Sequence, residues 1–414
     1  MKVVLYKIDN EIKKRRERVS QFYYGDFGQN LRKKRLEMKM TQEQVSKGIC
    51  SNTYLSKIEN NQIVVNRDSL MLIMEKMDIP LNEICFPEEM LDYLDRSVRC
   101  FFYRDLEAYN ELFKEISIYQ FSTLIQIIKL GYYILKYNLE EAGLIYNETF
   151  RYLSSLEDYG LSMFLLYASF YLIEVQDYKT ARLIVEKIEN HYQNDDLVFS
   201  MLNYAKYIIY GNLYIHTQAS EYGFIALNLF NRYSNMERLT ELYMWKDIFL
   251  IYEAKRPVDL NANTINFLPI QYQNRYLLLL AISGQNPKYY LEKLNKEGNY
   301  YLEALFYKAY YFMQEKDYEN YQVCLEEINA LHYQLESKID YTYLLKIIKA
   351  KNEMLIKDYL INYILPFFLE KQELYFYNLT IKEIVKILTK KKRYKDALTY
   401  KTKTEETINV LQTT

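Results

Sequence analysis

Chain breakers are scarce here, with 10 glycines and 6 prolines in 414 residues. All-β and α/β architectures spend both residue types on frequent turns. Their shortage excludes those classes and leaves long helices. Histidine is scarcer still: His191, His216 and His332 stand apart and offer no metal-ligand spacing. Cys50, Cys85, Cys100 and Cys324 form no C-x-x-C pair and fit free thiols in a reducing compartment. The phosphate-cradling patterns G-x-x-x-x-G-K-[ST] and G-x-G-x-x-G are missing, as is the nucleophile pattern G-x-S-x-G. Glu140-Glu141 and Asp195-Asp196 read as solvated helix ends. No enzyme activity, metal or cofactor is therefore expected. The longest apolar run, Leu161 to Ile173, is too short and too rich in Tyr and Ser to span a bilayer. Lys13-Lys14-Arg15-Arg16 follows the apolar Val3-Val4-Leu5, the reverse of a signal peptide. A cytoplasmic location with no membrane partner is the expectation.

What is present is apolar and aromatic. Half of the residues are hydrophobic, 26% are charged, and 46 are tyrosine. Stacked helices favour such a side chain, because its ring packs while its hydroxyl reaches a polar partner at the edge. The near-neutral net charge of −1 hides a partition. Residues 1–66 carry 14 Lys/Arg against 7 Asp/Glu, and the remainder carries 39 against 47. A basic head on an acidic body suits a protein that meets nucleic acid at one end. Residues 1–24 form a basic extension, readable as a charged helix over Glu11–Arg18, as a phosphate-touching arm, or as a solvated tail.

The most informative stretch runs from Phe27 to about Ile84. Thr41 before Gln42-Glu43-Gln44 is an N-cap with an acceptor inside the first turn, so a helix starts there. Gly48 lets the chain leave that helix, and Ser51 caps a second one whose buried side holds Leu55 and Ile58. A preceding helix from Phe27 to about Met38 buries Leu31 and turns Arg32, Lys33 and Lys34 outward. A fourth helix starts at Asp68, with Leu70, Ile73, Met74 and Met77 at helical spacing, and Asn82 caps a short fifth. A short helix, a tight turn and a second helix with a polar outer face make a helix-turn-helix.

These residues resemble the repressor-type (XRE) helix-turn-helix, and more narrowly the variant in peptide-sensing regulators of Gram-positive bacteria, the Rgg, PlcR and NprR type. The resemblance rests on Thr41-Gln42-Glu43 and on Ile49-Cys50-Ser51 through Tyr54-Leu55-Ser56-Lys57-Ile58-Glu59-Asn60, and Asn61 stands where the family has Gly. It implies that Asn52, Thr53 and Lys57 contact base edges, a role their chemistry fits, since Asn pairs with adenine and Lys donates to guanine. Ser51, Tyr54, Ser56 and Arg32 add base, sugar or phosphate contacts, and Gln42 matches a phosphate-clamping position. Arg35 and Glu59 match a family pair that forms a structural ion pair inside the domain.

Beyond Phe86-Pro87 the texture changes to long helical periodicity. A pattern of apolar helix, polar turn with an aromatic, then second helix recurs around Asp177-Tyr178, Asp317-Tyr318 and Arg393-Tyr394. Tyr178 to Tyr318 is 140 residues and Tyr318 to Tyr394 is 76, multiples of a unit of about 34–40. With Ala181 and Ala397 three positions after the Tyr, and Tyr321 replacing Ala in the middle copy, this resembles a degenerate tetratricopeptide repeat. The expected architecture is all-α. A basic extension (1–24) is followed by a five-helix helix-turn-helix domain (25–86) and a linker helix (87–100). A right-handed α-solenoid of helix pairs (101–414) then serves for dimerisation and peptide sensing. The resemblance implies a DNA operator, a small signalling peptide and a second copy of the chain as partners. Asn203, Tyr207, Tyr210 and Tyr214 share one helical face and are the candidate peptide contacts. Two other readings stay open. The repeats could bind a response regulator, or the chain could be a mobile-element repressor whose repeats only dimerise.

Overall fold

At many of the described helix ends the chain reverses direction by one device that does without glycine. At the end of a helix a single residue enters the left-handed region, and the N–H of the next residue bonds back five positions, to the last turn. Arg104 (φ 55°), Tyr137 (62°), Gln176 (62°), Tyr214 (62°), Ser234 (53°), Lys316 (60°) and Lys392 (58°) all do this. The closing bonds run from Asp105 to Cys100 O (2.9 Å), Asn138 to Tyr133 O (2.8 Å), Asp177 to Leu172 O (2.8 Å) and Asp317 to Phe312 O (3.0 Å). Ile215, Asn235 and Arg393 bond in the same way to Tyr210, Phe230 and Leu388. This is the Schellman arrangement, normally made by glycine. Where the residue after the left-handed one is Asp or Asn, its side chain caps the next helix: Asp105 accepts from Ala108 N–H, Asn138 from Glu141, Asp177 from Thr180 and Asp317 from Asn320. One dipeptide thus ends one helix and starts the next.

The computed structural model describes residues 6–10, 12, 27–60, 63, 66–80, 87–119, 123–151, 153, 156, 158–188, 195–253, 262–282, 286–296, 300–332, 357–358, 360–370 and 374–402. Among the described residues there is no β-strand. The chain divides into two compact units: Met1–Ile209 with Glu221–Leu229, and Tyr210–Ser220 with Phe230–Thr414.

The first unit begins with a head of four described helices: α1 (Phe27–Glu37), α2 (Gln42–Ser46), α3 (Asn52–Glu59) and α4 (Arg67–Lys76). Helix α4 starts one residue before Asp68, because Asn66 caps it by accepting the Asp68 N–H at 2.9 Å. The fifth helix expected at Asn82 lies outside the described residues. Then follow α5 (Pro87–Tyr103), α6 (Leu106–Ile116), α7 (Thr123–Leu135), α8 (Leu139–Thr149), α9 (Asp158–Glu174), α10 (Tyr178–Val185), α11 (Asp196–Asn212) and α12 (His216–Arg232), of which α11 and α12 extend into the second unit. Helices α5/α6, α7/α8 and α9/α10 pack as pairs, and α7 also packs on α5 and α9. Asp105 to Asn138 is 33 residues and Asn138 to Asp177 is 39, so the unit anticipated from the distant copies is present between them. Helix α5, expected as a linker, buries Leu94, Val98, Phe101 and Phe102 and is the first helix of the body.

The second unit holds α13 (Met236–Glu253), a 3-10 turn (Ala262–Phe267), α14 (Ile270–Ile282), α15 (Pro287–Glu292), α16 (Tyr301–Gln314) and α17 (Tyr318–His332). A π-helical turn (Leu360–Ile364), α18 (Leu365–Glu370) and α19 (Leu374–Lys390) follow. Helices α14/α15 and α16/α17 pair, and α18 packs on α19. Its core includes Leu305, Ile328, Ile364, Ile384 and Ala397, and it takes in Tyr321, the residue that replaces Ala in the middle copy. The fold is therefore all-α, a helix-turn-helix head followed by tetratricopeptide-like helix pairs.

Helix pairs approach closest at glycine. A Cβ on Gly131 of α7 would lie 2.5 Å from the Tyr109 hydroxyl oxygen and 2.9 Å from the Tyr167 ring. Both rings are fixed, since Tyr109 donates to Ile128 O at 2.9 Å and the Tyr167 hydroxyl sits 3.1 Å from Ser97 Oγ. Alanine is the better helix former by about 1 kcal/mol, but overpacking a filled core costs about 1–3 kcal/mol. Gly131→Ala should lower the melting temperature. A raised one would show that the two tyrosines do not close on α7.

Candidate nucleic-acid interface

The head is built around a buried charge. Its apolar core is Leu31, Val45, Leu55, Ile58, Leu70, Ile73, Met74, Met77 and Ile79. Into the edge of that core α3 delivers Glu59, whose side chain is 1% exposed. A carboxylate there is tolerable only with its lone pairs taken. Arg35 of α1, itself buried, donates from Nε to Oε1 at 2.5 Å and from Nη2 to Oε2 at 2.9 Å. Its Nη1 donates to Met40 O at 2.8 Å, pinning the α1–α2 turn. Gln42 at the start of α2 supplies a third donor to Glu59, Nε2 to Oε2 at 2.8 Å. The bond to Glu59 holds the Arg35 guanidinium above its ordinary value despite burial. One bidentate pair and one amide thereby fix three helices against each other.

Local signals set the two motif helices. Thr41 Oγ1 accepts the Gln44 N–H at 3.1 Å while Gln44 Oε1 accepts the Thr41 N–H at 2.7 Å, a complete capping box. Among the described glycines only Gly48 takes a positive φ, 83°, and turns the chain toward Ser51. Ser51 Oγ accepts the Tyr54 N–H at 3.1 Å and caps α3. Leu55, Ile58 and Glu59 point inward, so the helical period leaves Asn52, Thr53 and Lys57 on the exposed side.

The structure brings the sequence-derived candidates together unequally. Thr53 and Lys57 are exposed and project from α3, and Ser51 is exposed at its start. Asn52 is exposed too, but its Oδ1 accepts a hydrogen bond from Ser46 Oγ of α2, which aims the amide. Tyr54 packs half-buried against the head core. Half-buried Ser56 belongs to an open cleft of about 620 Å³ shared with Arg32, Leu36, Lys39, Gln42 and Asn60. Gln42 faces Glu59 and the cleft at once, a structural role beside the expected phosphate contact. Sequence reading passed over Lys39 and Asn60. Lys39 is exposed in the α1–α2 turn at φ 56°. Asn60 sits one turn after Ser56 and donates to its carbonyl at 2.8 Å. The spacing from Ser56 to Asn60 was the available signal for the second. Arg35 and Glu59 lie together as an ion pair.

The four candidate peptide contacts lie elsewhere in the chain, and the structure packs them all. Asn203 donates to Phe199 O of its own helix at 2.7 Å. The Tyr207 ring fills the space over Gly223, and Tyr214 belongs to the core of the second unit. Asn203, Tyr207, Tyr210 and Tyr214 are 3–7% exposed. Their shared face is a packing face, because large aromatic side chains are what fill the space between paired helices. Among the described residues no group of three or more His, Cys, Asp or Glu could hold a metal ion, and no helix is long and apolar enough to cross a membrane.

Residues 31–84 match the helix-turn-helix family. No curated protein matches the chain. Among solved structures it is similar to the apo form of the quorum sensor NprR from Bacillus thuringiensis, with 13% identity, a TM-score of 0.52, and coverage of 78% of this chain and 99% of that one. This likeness shows the fold. PlcR of the same species, solved with the peptide PapR7 and DNA, is 17% identical over 65% of this chain and 100% of its own, with a TM-score of 0.29. The pheromone receptor Rgg2 of Streptococcus dysgalactiae is 14% identical over 64% and 97%, with a TM-score of 0.24. Scores this low carry no argument about arrangement.

Removing one partner of a buried ion pair leaves the other charge uncompensated, at about 3–5 kcal/mol. Arg35→Ala or Glu59→Ala should therefore unfold the head while the helix pairs stay folded. Hydrogen exchange of the full chain should show protection lost over 31–80 and kept over 123–185. Protection retained over 31–80 in both variants would refute the keystone role of the pair.

Proposed function

We propose that the chain is a sequence-specific DNA-binding transcription regulator under the control of a small signalling peptide. The observation that carries this reading is the head. A buried Arg35–Glu59–Gln42 network holds α3 so that Asn52, Thr53 and Lys57 face outward from a helix-turn-helix, the geometry that reads base edges in a major groove. The basic charge of the first 66 residues supplies the electrostatic attraction to phosphate. The peptide part rests on the body, whose helix pairs share the fold of a quorum sensor. Stacked helix pairs offer extended surfaces on which an unstructured peptide lies.

The mechanism follows from coupling. A peptide that binds one arrangement of the helix pairs more tightly than another shifts the population toward it by its differential affinity. In a homodimer that arrangement sets the separation and angle of two heads, and so their fit to two half-sites about one helical turn apart. The chain acts in the cytoplasm, where its DNA is.

The test begins with selection of a preferred duplex from a random pool by the full chain. Asn52→Ala and Lys57→Ala should each lower discrimination between that duplex and random DNA by about 1–3 kcal/mol, read by fluorescence anisotropy. Equal loss on both duplexes would mean that these side chains touch only phosphate. A peptide fraction of spent medium should raise the melting temperature of the chain, and the same fraction after exhaustive proteolysis should not. No shift with any fraction would remove the peptide from the reading and leave the DNA-binding head.

A further inference from the structure

The sequence ahead of the head contains a docked element. Residues 6–10 form a helical turn in which Ile8 is fully buried, while Tyr6, Lys7, Asp9 and Asn10 face outward. A buried isoleucine among exposed neighbours marks the side of the turn that faces the protein. Asp9 Oδ1 lies 2.6 Å from Lys187 Nζ, in the turn that ends α10, next to the buried Ile188. The Asp9–Lys187 contact places the N-terminal turn against the helix-pair body. A second contact brings the head to the same body: Lys33 of α1 stands 3.7 Å from Glu148 of α8. Both Lys33 and Glu148 are about half exposed. An exposed pair of that kind is weak and is readily exchanged for another anion. Lys33 belongs to the run of cations on α1 that phosphate would otherwise attract.

We propose that the N-terminal turn is an intramolecular clasp. Seated through Ile8 and Asp9 on the end of α10, it keeps the head beside the acidic helix α8, where Glu148 competes with DNA phosphate for Lys33. This inference rests on the DNA-binding reading of the head. A chain anchored on the body ahead of the head, and continuing into the body after it, holds the head at high effective concentration next to α8. Undocking the turn lowers that concentration and returns Lys33 to phosphate.

The test uses the full chain, with hydrogen exchange and DNA binding as separate readouts. Ile8→Asp should speed exchange of the segment 180–188 and tighten binding to a random-sequence duplex in low salt by about three- to tenfold, the order expected for one recovered phosphate contact. Because a buried aspartate could disturb more than the dock, the surface pair gives the second arm. Asp9→Lys and Lys187→Asp should each act in the same direction, and the double variant should restore both exchange and affinity. Unchanged exchange in all variants would overturn the dock. Faster exchange with unchanged or weaker DNA binding would overturn the restraint. Faster exchange with no duplex bound by any protein, wild type included, would sink the DNA-binding reading and leave only a structural contact.

Discussion

Reversing direction without glycine is the constraint on which this structure depends. A non-glycine residue in the left-handed region costs about 1–2 kcal/mol, and the chain accepts that cost at helix end after helix end. Lys39 and Asp78 do it in the head, and Arg104, Tyr137, Gln176, Ser234, Lys316 and Lys392 do it in the helix pairs. What offsets the cost is visible at each turn. The closing backbone bond satisfies a carbonyl that the helix end would orphan. Where Asp or Asn follows, the same turn supplies the next N-cap, so two helix ends are solved by two residues. A chain with this device reverses tightly and often, and stacked antiparallel pairs are the packing that results.

The device also explains which parts of the fold were legible. Asp177-Tyr178 and Asp317-Tyr318 advertise the turn by pairing a cap with an aromatic, and both were readable. Arg104-Asp105 and Tyr137-Asn138 carry the same cap, but no tyrosine follows it, so a pattern built on the aromatic passes over them. The aromatic was the less reliable half of the signal: Tyr178 is buried, whereas Tyr318 and Tyr394 are largely exposed. The cap and the left-handed residue define the unit, and a left-handed Tyr, Gln or Lys leaves no mark in composition. In the head the signals were local and agreed with one another, as the Thr41 capping box and the Ser51 cap show, and the helix-turn-helix was correspondingly readable. The failure there was of a different kind. Gln42 looks like a solvent-facing amide from its neighbours in sequence, yet it faces a carboxylate seventeen positions away. Only tertiary structure brings Glu59 to it.

The candidate peptide face shows a related limit of periodicity. Asn203, Tyr207, Tyr210 and Tyr214 share a helical face, and a face is all that periodicity reports. Whether it looks onto a groove or onto the partner helix depends on which side each pair packs. Gly223 opposite Tyr207 decides that question by leaving room for the ring. The N-terminal turn is the converse case. Tyr6, Lys7, Asp9 and Asn10 are exposed, and only Ile8 of this turn is buried.

The tyrosines supply the last link between composition and architecture. A phenylalanine would fill the same space, so the hydroxyl must account for the choice of 46 tyrosines against 20 phenylalanines. Among the described residues it donates to a carboxylate on another helix from Tyr159 to Asp95 (2.9 Å), Tyr276 to Asp247 (3.0 Å), Tyr301 to Glu327 (2.9 Å) and Tyr310 to Glu383 (2.8 Å). Burial, joined by the facing carboxylate, pushes these phenols well above their ordinary range, so they remain donors at any physiological pH. Burial also raises the Asp247 carboxyl, with the Tyr276 hydroxyl working against the shift. The acids that make the body negative are therefore partly structural, each a partner that lets an aromatic ring be buried without stranding its hydroxyl. The charge partition between head and body then has two origins. Cations gather in the first 66 residues, and acids are distributed through the body because tyrosine-packed helices need acceptors. An acidic body repels DNA and attracts the cations of α1, and the Lys33–Glu148 contact is where those two consequences of composition meet.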